Sequence, residues 1–460
     1  MTAIAGSAAP ARDHAADLFG HPRGLFFLAG TELWERFSFY GMQALLVLYM
    51  VDWLLLPDHA AHVLGLATVR RAAEAISGPL GAQAFASELF GLYAGLAYFT
   101  PLIGGLVGDR LLGPRRTVML GVLLMAAGHL LMAFDRYFLV ALGLLIGGCG
   151  CLKGNITAQV GRLYPSDDPR RARAFAIFNM SINAGGLLGP FLCGAVGEVY
   201  GWHKGFGLAG GMMMVALVVY MAGRRWMPAD RREPRIRPAP LAPGQWRNLA
   251  GIALVLILGL FFSIPYYQLG NAYILFLQDR VDRDIFGITL PATSLMGLDS
   301  LFVIAGTPVI LASWRRRATR AGEPGDLTKI AIACLCAAAA YAQLAVAASG
   351  GGAVSPIHAL IYSGLLGIGF VYYWPTTLAL ISRLAPPELH STLMGGAFLT
   401  MFASFTAVGW IGSFYGRMAP DRFWLIEAAI ALAGAALILA TKRPVTRLLL
   451  LSTTEKDIAA

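Results

Sequence analysis

Three charged side chains fall within five residues of one another in the stretch Thr31-Glu32-Leu33-Trp34-Glu35-Arg36-Phe37-Ser38-Phe39-Tyr40. The stretch lies inside an apolar segment, residues 24–56, that is long enough to cross a bilayer. A charge at that depth costs a few kcal/mol or more. Glu32 and Arg36 are four apart and share a helix face, while Glu35 is turned partly aside. Two acids beside one base leave a carboxylate free to take up and release a proton. The arrangement therefore suits a proton relay, with a structural ion pair inside a helix bundle as the plainer alternative. Lys153 belongs with them. Of the 36 basic residues, 31 are arginine, and Lys153 is the one lysine deep within an apolar segment. A desolvated lysine can give up its proton and an arginine cannot. Glu32, Glu35, Arg36 and Lys153 are thus the candidate proton-coupling residues, unless Lys153 serves only to neutralise an acid. Asp299 is a further carboxylate in an apolar segment, a functional position by default unless it sits wet at a helix end.

Such residues need a scaffold of membrane helices. The chain has 460 residues, 57% hydrophobic and 13% charged, with a mean hydropathy of +0.63. That composition predicts an all-α polytopic membrane protein and excludes a soluble globular class. Met1 to Pro22 has no apolar core and is not expected to act as a cleavable signal. The net charge of +10 does not point to nucleic acid, because the arginines stand in short loops. The five cysteines all lie in apolar segments, without zinc-ligand spacing. No nucleotide-binding glycine loop, nucleophile elbow or metal motif is present, so neither an enzyme nor a cofactor is expected. The implied partners are lipid, protons and a small-molecule substrate.

Hydropathy marks twelve spans, at 24–56, 85–109, 116–134, 137–163, 172–197, 204–223, 247–276, 288–314, 327–349, 354–384, 391–415 and 421–441. Pro101, Pro265 and Pro375 are expected to bend their helices. Arginines crowd the loops after even-numbered spans, as at Arg115 and Arg116, Arg170 and Arg171, and Arg315 to Arg317. The positive-inside bias places both termini in the cytoplasm of a cell whose inner membrane holds the protein. The longest basic stretch, 224–246, is proline-rich and reads as a cytoplasmic linker between residues 1–223 and 247–460. It is too short for two further spans, which need about forty apolar residues. Two six-helix bundles joined this way resemble the major facilitator superfamily, whose substrates bind near the midplane between the halves.

Local motifs narrow the resemblance. Gly104-Gly105-Leu106-Val107-Gly108-Asp109-Arg110 and the following Gly113-Pro114-Arg115-Arg116 resemble that superfamily's loop motif between spans 2 and 3, in which acid and arginines form a charge latch. Glu32-x-x-Glu35-Arg36-Phe37-x-Phe39-Tyr40 resembles the ExxERFxYY motif of the proton-dependent oligopeptide transporter (POT/PTR) family, with Phe39 replacing a Tyr. Tyr98-Phe99-Thr100-Pro101, Gly150-Cys151-Leu152-Lys153-Gly154-Asn155 and Phe178-Asn179-Met180-Ser181-Ile182-Asn183 resemble further stretches of that family. The resemblance implies proton-coupled transport of di- and tripeptides or peptide-like molecules by alternating access.

It also exposes departures. The family's substrate-facing arginine three residues after Tyr40 is here Gln43. Its seventh-span tryptophan and acid match Ser263 and Tyr267, followed by Gln268. Its tenth-span acid matches Phe370, and an eleventh-span aromatic matches Ala397. Its eighth-span Asn corresponds to Asp299, expected to face the cavity with Tyr40, Tyr98, Asn183, Gln268 and Asn271. Aromatic clusters at Tyr266 and Tyr267 and at Tyr372 to Trp374 would, in a cavity, favour a bulkier or more apolar ligand. Two alternatives remain open. One is a transporter on the same scaffold for an organic anion or secondary metabolite, by import or export. The other is a membrane sensor that binds without transport.

Overall fold

The computed structural model describes residues 17–165, 168–228, 230, 243–385 and 390–458. Eleven helical stretches, from Arg23–Leu54 to Pro420–Leu449, are long and apolar enough to cross a membrane. A shorter twelfth, Pro114–Leu131, opens on Arg115 and Arg116 and packs within the same bundle. In chain order spans 1 to 6 are Arg23–Tyr49, Ala82–Val107, Pro114–Leu131, Phe138–Arg162, Arg170–Tyr200 and Trp202–Gly223. Span 7 is Pro243–Tyr267, resumed at Ala272–Arg280, and span 8 is Leu298–Ala321. Spans 9 to 12 are Asp326–Ser349, Ile357–Leu384, His390–Gly412 and Pro420–Ile458. The chain thus has the expected major facilitator fold of membrane helices.

Hydropathy misses what lies between and within the spans. A short helix, Leu66–Ser77, stands between spans 1 and 2. Residues 284–289, where the eighth span was expected to begin, form a hairpin pairing Asp284 and Ile285 with Thr289 and Ile288. Its turn needs left-handed backbone at Phe286 and Gly287, with φ of 55° and 78°, so a helix cannot run through it. Span 7 is broken by the tight turn Gln268–Gly270 and by Asn271, at φ −121° and ψ −99°. Span 1 ends in a wider turn, Met50–Leu54. Of the expected linker, residues 229 and 231–242 lie outside the described residues. Next to them, Asp230 accepts the backbone N–H of Arg115 at 2.8 Å. Asp109 and Arg110 of the expected latch are exposed and form no ion pair among the described residues.

Small residues bring the spans together. A Cβ at Gly185 of span 5 would stand 2.5 Å from the Leu33 carbonyl oxygen of span 1, so only glycine permits that approach. A Cβ at Gly91 of span 2 would be equally close to the Phe405 carbonyl of span 11. Span 1 is also tied to span 6, since Ser38 Oγ donates to the Ala209 carbonyl at 2.7 Å.

Polar bonds between the first six spans and the last six gather at one end. Gln83 Nε2 donates to the Gly412 carbonyl at 2.9 Å, and Arg417 donates to the Pro79 carbonyl. Gln278 donates to Asp52 at 2.7 Å. Glu198, at the end of span 5, accepts the backbone N–H groups of Ala292 and Thr293, the Thr293 hydroxyl at 2.6 Å and Arg283. These residues close the end at which spans 1, 5, 7 and 11 finish. No hydrogen bond joins the two sets of spans at the opposite end among the described residues.

Candidate substrate and proton site

Span 1 carries its charges on the inner face. Arg36 Nε donates to Glu32 Oε1 at 2.9 Å and lies 2.6 Å from Glu35 Oε2, without the alignment of a hydrogen bond. Glu32 Oε2 and both Glu35 oxygens have no hydrogen-bond partner among the described residues. Glu35 is fully buried, and Glu32 and Arg36 nearly so. Two carboxylates share one guanidinium, so a proton or a second cation is needed to balance them in so dry a place.

Lys153 of span 4 stands on the other side of this group. Its Nζ is 3.8 Å from the Tyr98 ring centroid and 4.4 Å from that of Phe39. It has neither a hydrogen-bond partner nor an ion pair among the described residues. Aromatic faces hold the ammonium by their quadrupoles and leave its donors unused. Lys153 is therefore a buried ammonium whose donors are unused among the described residues.

From Tyr98 a line of rings runs across the seam between the two sets of spans. Tyr98 stacks on Phe405 of span 11 with centroids 5.3 Å apart, and Phe405 stacks on Tyr267 of span 7 at 4.3 Å. Tyr267 meets Tyr266 edge-on at 5.2 Å, and Tyr266 stacks on Phe370 of span 10. The Tyr266 hydroxyl donates to Asp299 Oδ2 at 2.8 Å, while Oδ1 has no partner among the described residues. Asp299 is buried in the first turn of span 8. Tyr40 lies near this line: a Cβ at Gly186 of span 5 would touch both its ring and Ser300, the neighbour of Asp299.

The residues singled out in the sequence fall into separate groups. Glu32, Glu35, Arg36, Lys153, Tyr40 and Tyr98 come together on the first set of spans. Tyr267, Phe370 and Asp299 join them across the seam. Asn183 lies one turn before Gly186 on span 5, with its amide donated to the Asn179 carbonyl. Gln43 is buried one turn beyond Tyr40 on span 1. Gln268 and Asn271 stand apart. Both are wholly buried, bonded to each other and to the Val408 carbonyl, and Gln268 donates to Glu427 of span 12 at 2.9 Å. Sequence reading passed over Phe405 and Glu427. An aromatic in so apolar a chain has no contrast, but an acid inside the apolar part of the twelfth span was a visible signal.

Comparison with known proteins gives the family. The sequence model of the POT family (PTR2) matches residues 115–240 and 242–420. The chain is 30% identical to the peptide transporter YePEPT of Yersinia enterocolitica, over 92% of this chain and 93% of that one. It is 29% identical to a di-/tripeptide transporter of Lactococcus lactis, over 94% and 97%. Among solved structures, a variant of a peptide transporter POT in complex with alafosfalin superposes with a TM-score of 0.79 at 27% identity, covering 94% of this chain and 97% of that one. With the family model matched over more than half its length and full-length relatives at this identity, the chain belongs to the POT family of membrane transporters.

Proposed function

We propose that the protein is a proton-coupled symporter of small peptides or peptide-like zwitterions, working by alternating access. The observation that carries this reading is the pair of unsatisfied charges at the two ends of the ring line. Lys153 offers a cation without an anion. Asp299 offers a carboxylate oxygen without a donor. A zwitterion has both complements, a carboxylate for Lys153 and an ammonium for Asp299. The relatives named above as peptide transporters act on ligands of that kind.

Coupling follows from the charge count on span 1. With Glu32 and Glu35 both ionised, Arg36 balances one of them and Lys153 is attracted to the other. A proton on Glu35 removes that competition and leaves Lys153 to the ligand carboxylate. Binding of proton and ligand then favour each other, which is the requirement of symport. Polar bonds that join the two sets of spans at the Glu198 end and not at the other, among the described residues, fit one of the two states that alternating access needs. Residues 1–223 and 247–460 are the rocking units, with the linker and both termini in the cytoplasm.

The aromatic wall of Tyr266, Tyr267, Phe370 and Phe405 favours ligands with an apolar or aromatic side chain. With acids absent at Tyr267 and Phe370, it also admits amino-acid-like zwitterions that are not peptides. The test is uptake of labelled dialanine and of dipeptides with aromatic side chains into vesicles, driven by an imposed pH gradient, beside counterflow without one. Driven uptake of either kind supports the reading. Equal uptake with and without the gradient removes proton coupling, and failure of every zwitterion in counterflow removes the substrate class.

A further inference from the structure

Span 12 carries a carboxyl that this reading does not use. Glu427 is wholly buried. Its Oε1 accepts the Gln268 amide, and its Oε2 has no hydrogen-bond partner among the described residues. No lysine, arginine or histidine pairs with it among the described residues. The titratable groups that face it are two phenols, Tyr341 from span 9 and Tyr362 from span 10. Their hydroxyls are 2.7 Å apart, and Tyr341 donates onward to the Pro265 carbonyl at 2.5 Å. Both phenolic protons are thus committed elsewhere. Span 7 contributes Gln268 and Asn271, and span 11 the Val408 carbonyl.

This carboxyl is connected to the moving parts. Gln268 and Asn271 are the residues at which span 7 is interrupted. Both clamp the Val408 carbonyl of span 11, at 3.3 and 3.1 Å. One turn further along span 11, the Gly412 carbonyl accepts Gln83 from span 2, at the closed end. A chain of bonds therefore runs from Glu427 through the break in span 7 to the contact between the two sets of spans.

We propose that Glu427 is a second proton-binding site, and that its protonation state sets how firmly the interruption of span 7 is held against span 11. An ionised carboxylate here leaves Oε2 without a donor in apolar surroundings, at a cost of several kcal/mol. A neutral carboxyl avoids that cost, so the closed end favours the proton-bound form. When spans 7 and 11 part from span 2, water reaches the group. The O–H bond of the carboxyl then breaks, its proton passes to water, and the carboxylate remains. Rebinding of a proton permits closure. The direction of this coupling rests on the transport reading above, whereas the exchange of the proton does not.

Full-length protein in lipid vesicles, titrated by infrared difference spectroscopy, tests both parts. The wild type is expected to lose a protonated-carboxyl C=O band as the pH is raised, and Glu427→Gln, which keeps the acceptor for Gln268, is expected to lack that change. A difference spectrum unaltered in the variant overturns the proposal. Should Glu427→Gln not insert, Gln268→Leu removes the one donor to the carboxylate. It is then expected to raise the midpoint of the band by about one pH unit, and an unmoved midpoint overturns the proposal. Dialanine counterflow in the same vesicles separates the two readings. Wild type that exchanges no peptide removes the peptide reading while the infrared result still decides the carboxyl. In protein that does exchange, the ratio of driven uptake to counterflow is expected to fall at least about fivefold in Glu427→Gln. A ratio equal to wild type overturns coupling through Glu427.

Discussion

Lys153 and Arg36 differ in what surrounds them, and the roles proposed for them divide accordingly. Arg36 is spent on Glu32 and Glu35, while Lys153 rests on two rings with its donors idle. Lys153→Arg keeps the charge and discards the exchangeable proton. Driven uptake in that variant is expected to fall by about tenfold or more, read as initial rates under an imposed pH gradient; a wild-type rate means that Lys153 serves only as a charge. Glu35→Gln is expected to abolish driven uptake while leaving counterflow measurable, and loss of both in folded protein assigns Glu35 a structural role. Asp299→Asn keeps the volume and the bond from Tyr266 but removes the charge. It is expected to weaken binding of a peptide with a free ammonium by about 1–3 kcal/mol, and that of an N-acetylated analogue far less, measured as competition in counterflow. Charges in apolar spans are conspicuous, which is why these positions were legible in the sequence. Phe405 was not, because its importance comes from where span 11 meets spans 2 and 7.

Helices were legible from hydropathy, but their interruptions were not. Gly270-Asn271 after Pro265 is a local stop signal, but the apolar run that continues on both sides hides it. The break is held by Val408 and Glu427, which lie more than a hundred residues away in the chain. Close packing of spans is similarly non-local. Gly91→Leu forces a side chain into the Phe405 carbonyl and the backbone of Gly409. It is expected to destabilise the pairing of spans 2 and 11 by about 1–3 kcal/mol, seen as a lower thermal midpoint in detergent. Outside the spans, the N-terminal strand pair Asp17–Leu18 and His21–Pro22 is strapped to the loop after span 4 by His21 Nδ1 and the Tyr164 hydroxyl, 2.7 Å apart. Burial, then the Arg173 and Arg170 guanidiniums, hold the His21 imidazole below its usual 6.5. The detached segment binds a proton more readily than the strapped one, so the strap weakens as the pH falls through and below about 6.5. Faster hydrogen exchange at residues 17–22 in mild acid, relative to His21→Gln, is the expected result.

For the whole molecule, the concentration of polar bonds at one end makes Glu198 a principal fastener. Its carboxylate receives two backbone N–H groups, a hydroxyl and a guanidinium from beyond the seam. Glu198→Gln is expected to weaken closure by about 1–3 kcal/mol, on the order of a tenfold change in population. Spin labels at the exposed positions Tyr200 and Ile288 report it as a longer distance component. The general fold was legible because twelve apolar segments and one basic linker leave few arrangements. The state in which it is caught was not, since that depends on pairs such as Glu198 with Thr293 and Gln83 with Gly412. The bare ammonium of Lys153 has a practical consequence for any preparation of this protein. If Lys153 takes the substrate carboxylate as proposed, its ammonium does not distinguish that group from the sulfate, phosphate or acetate of the medium. Each such anion, present at its own dissociation constant, halves the apparent affinity for substrate. On that reading, affinities measured in different buffer salts are expected to disagree, in the order in which those anions compete, although the protein is the same.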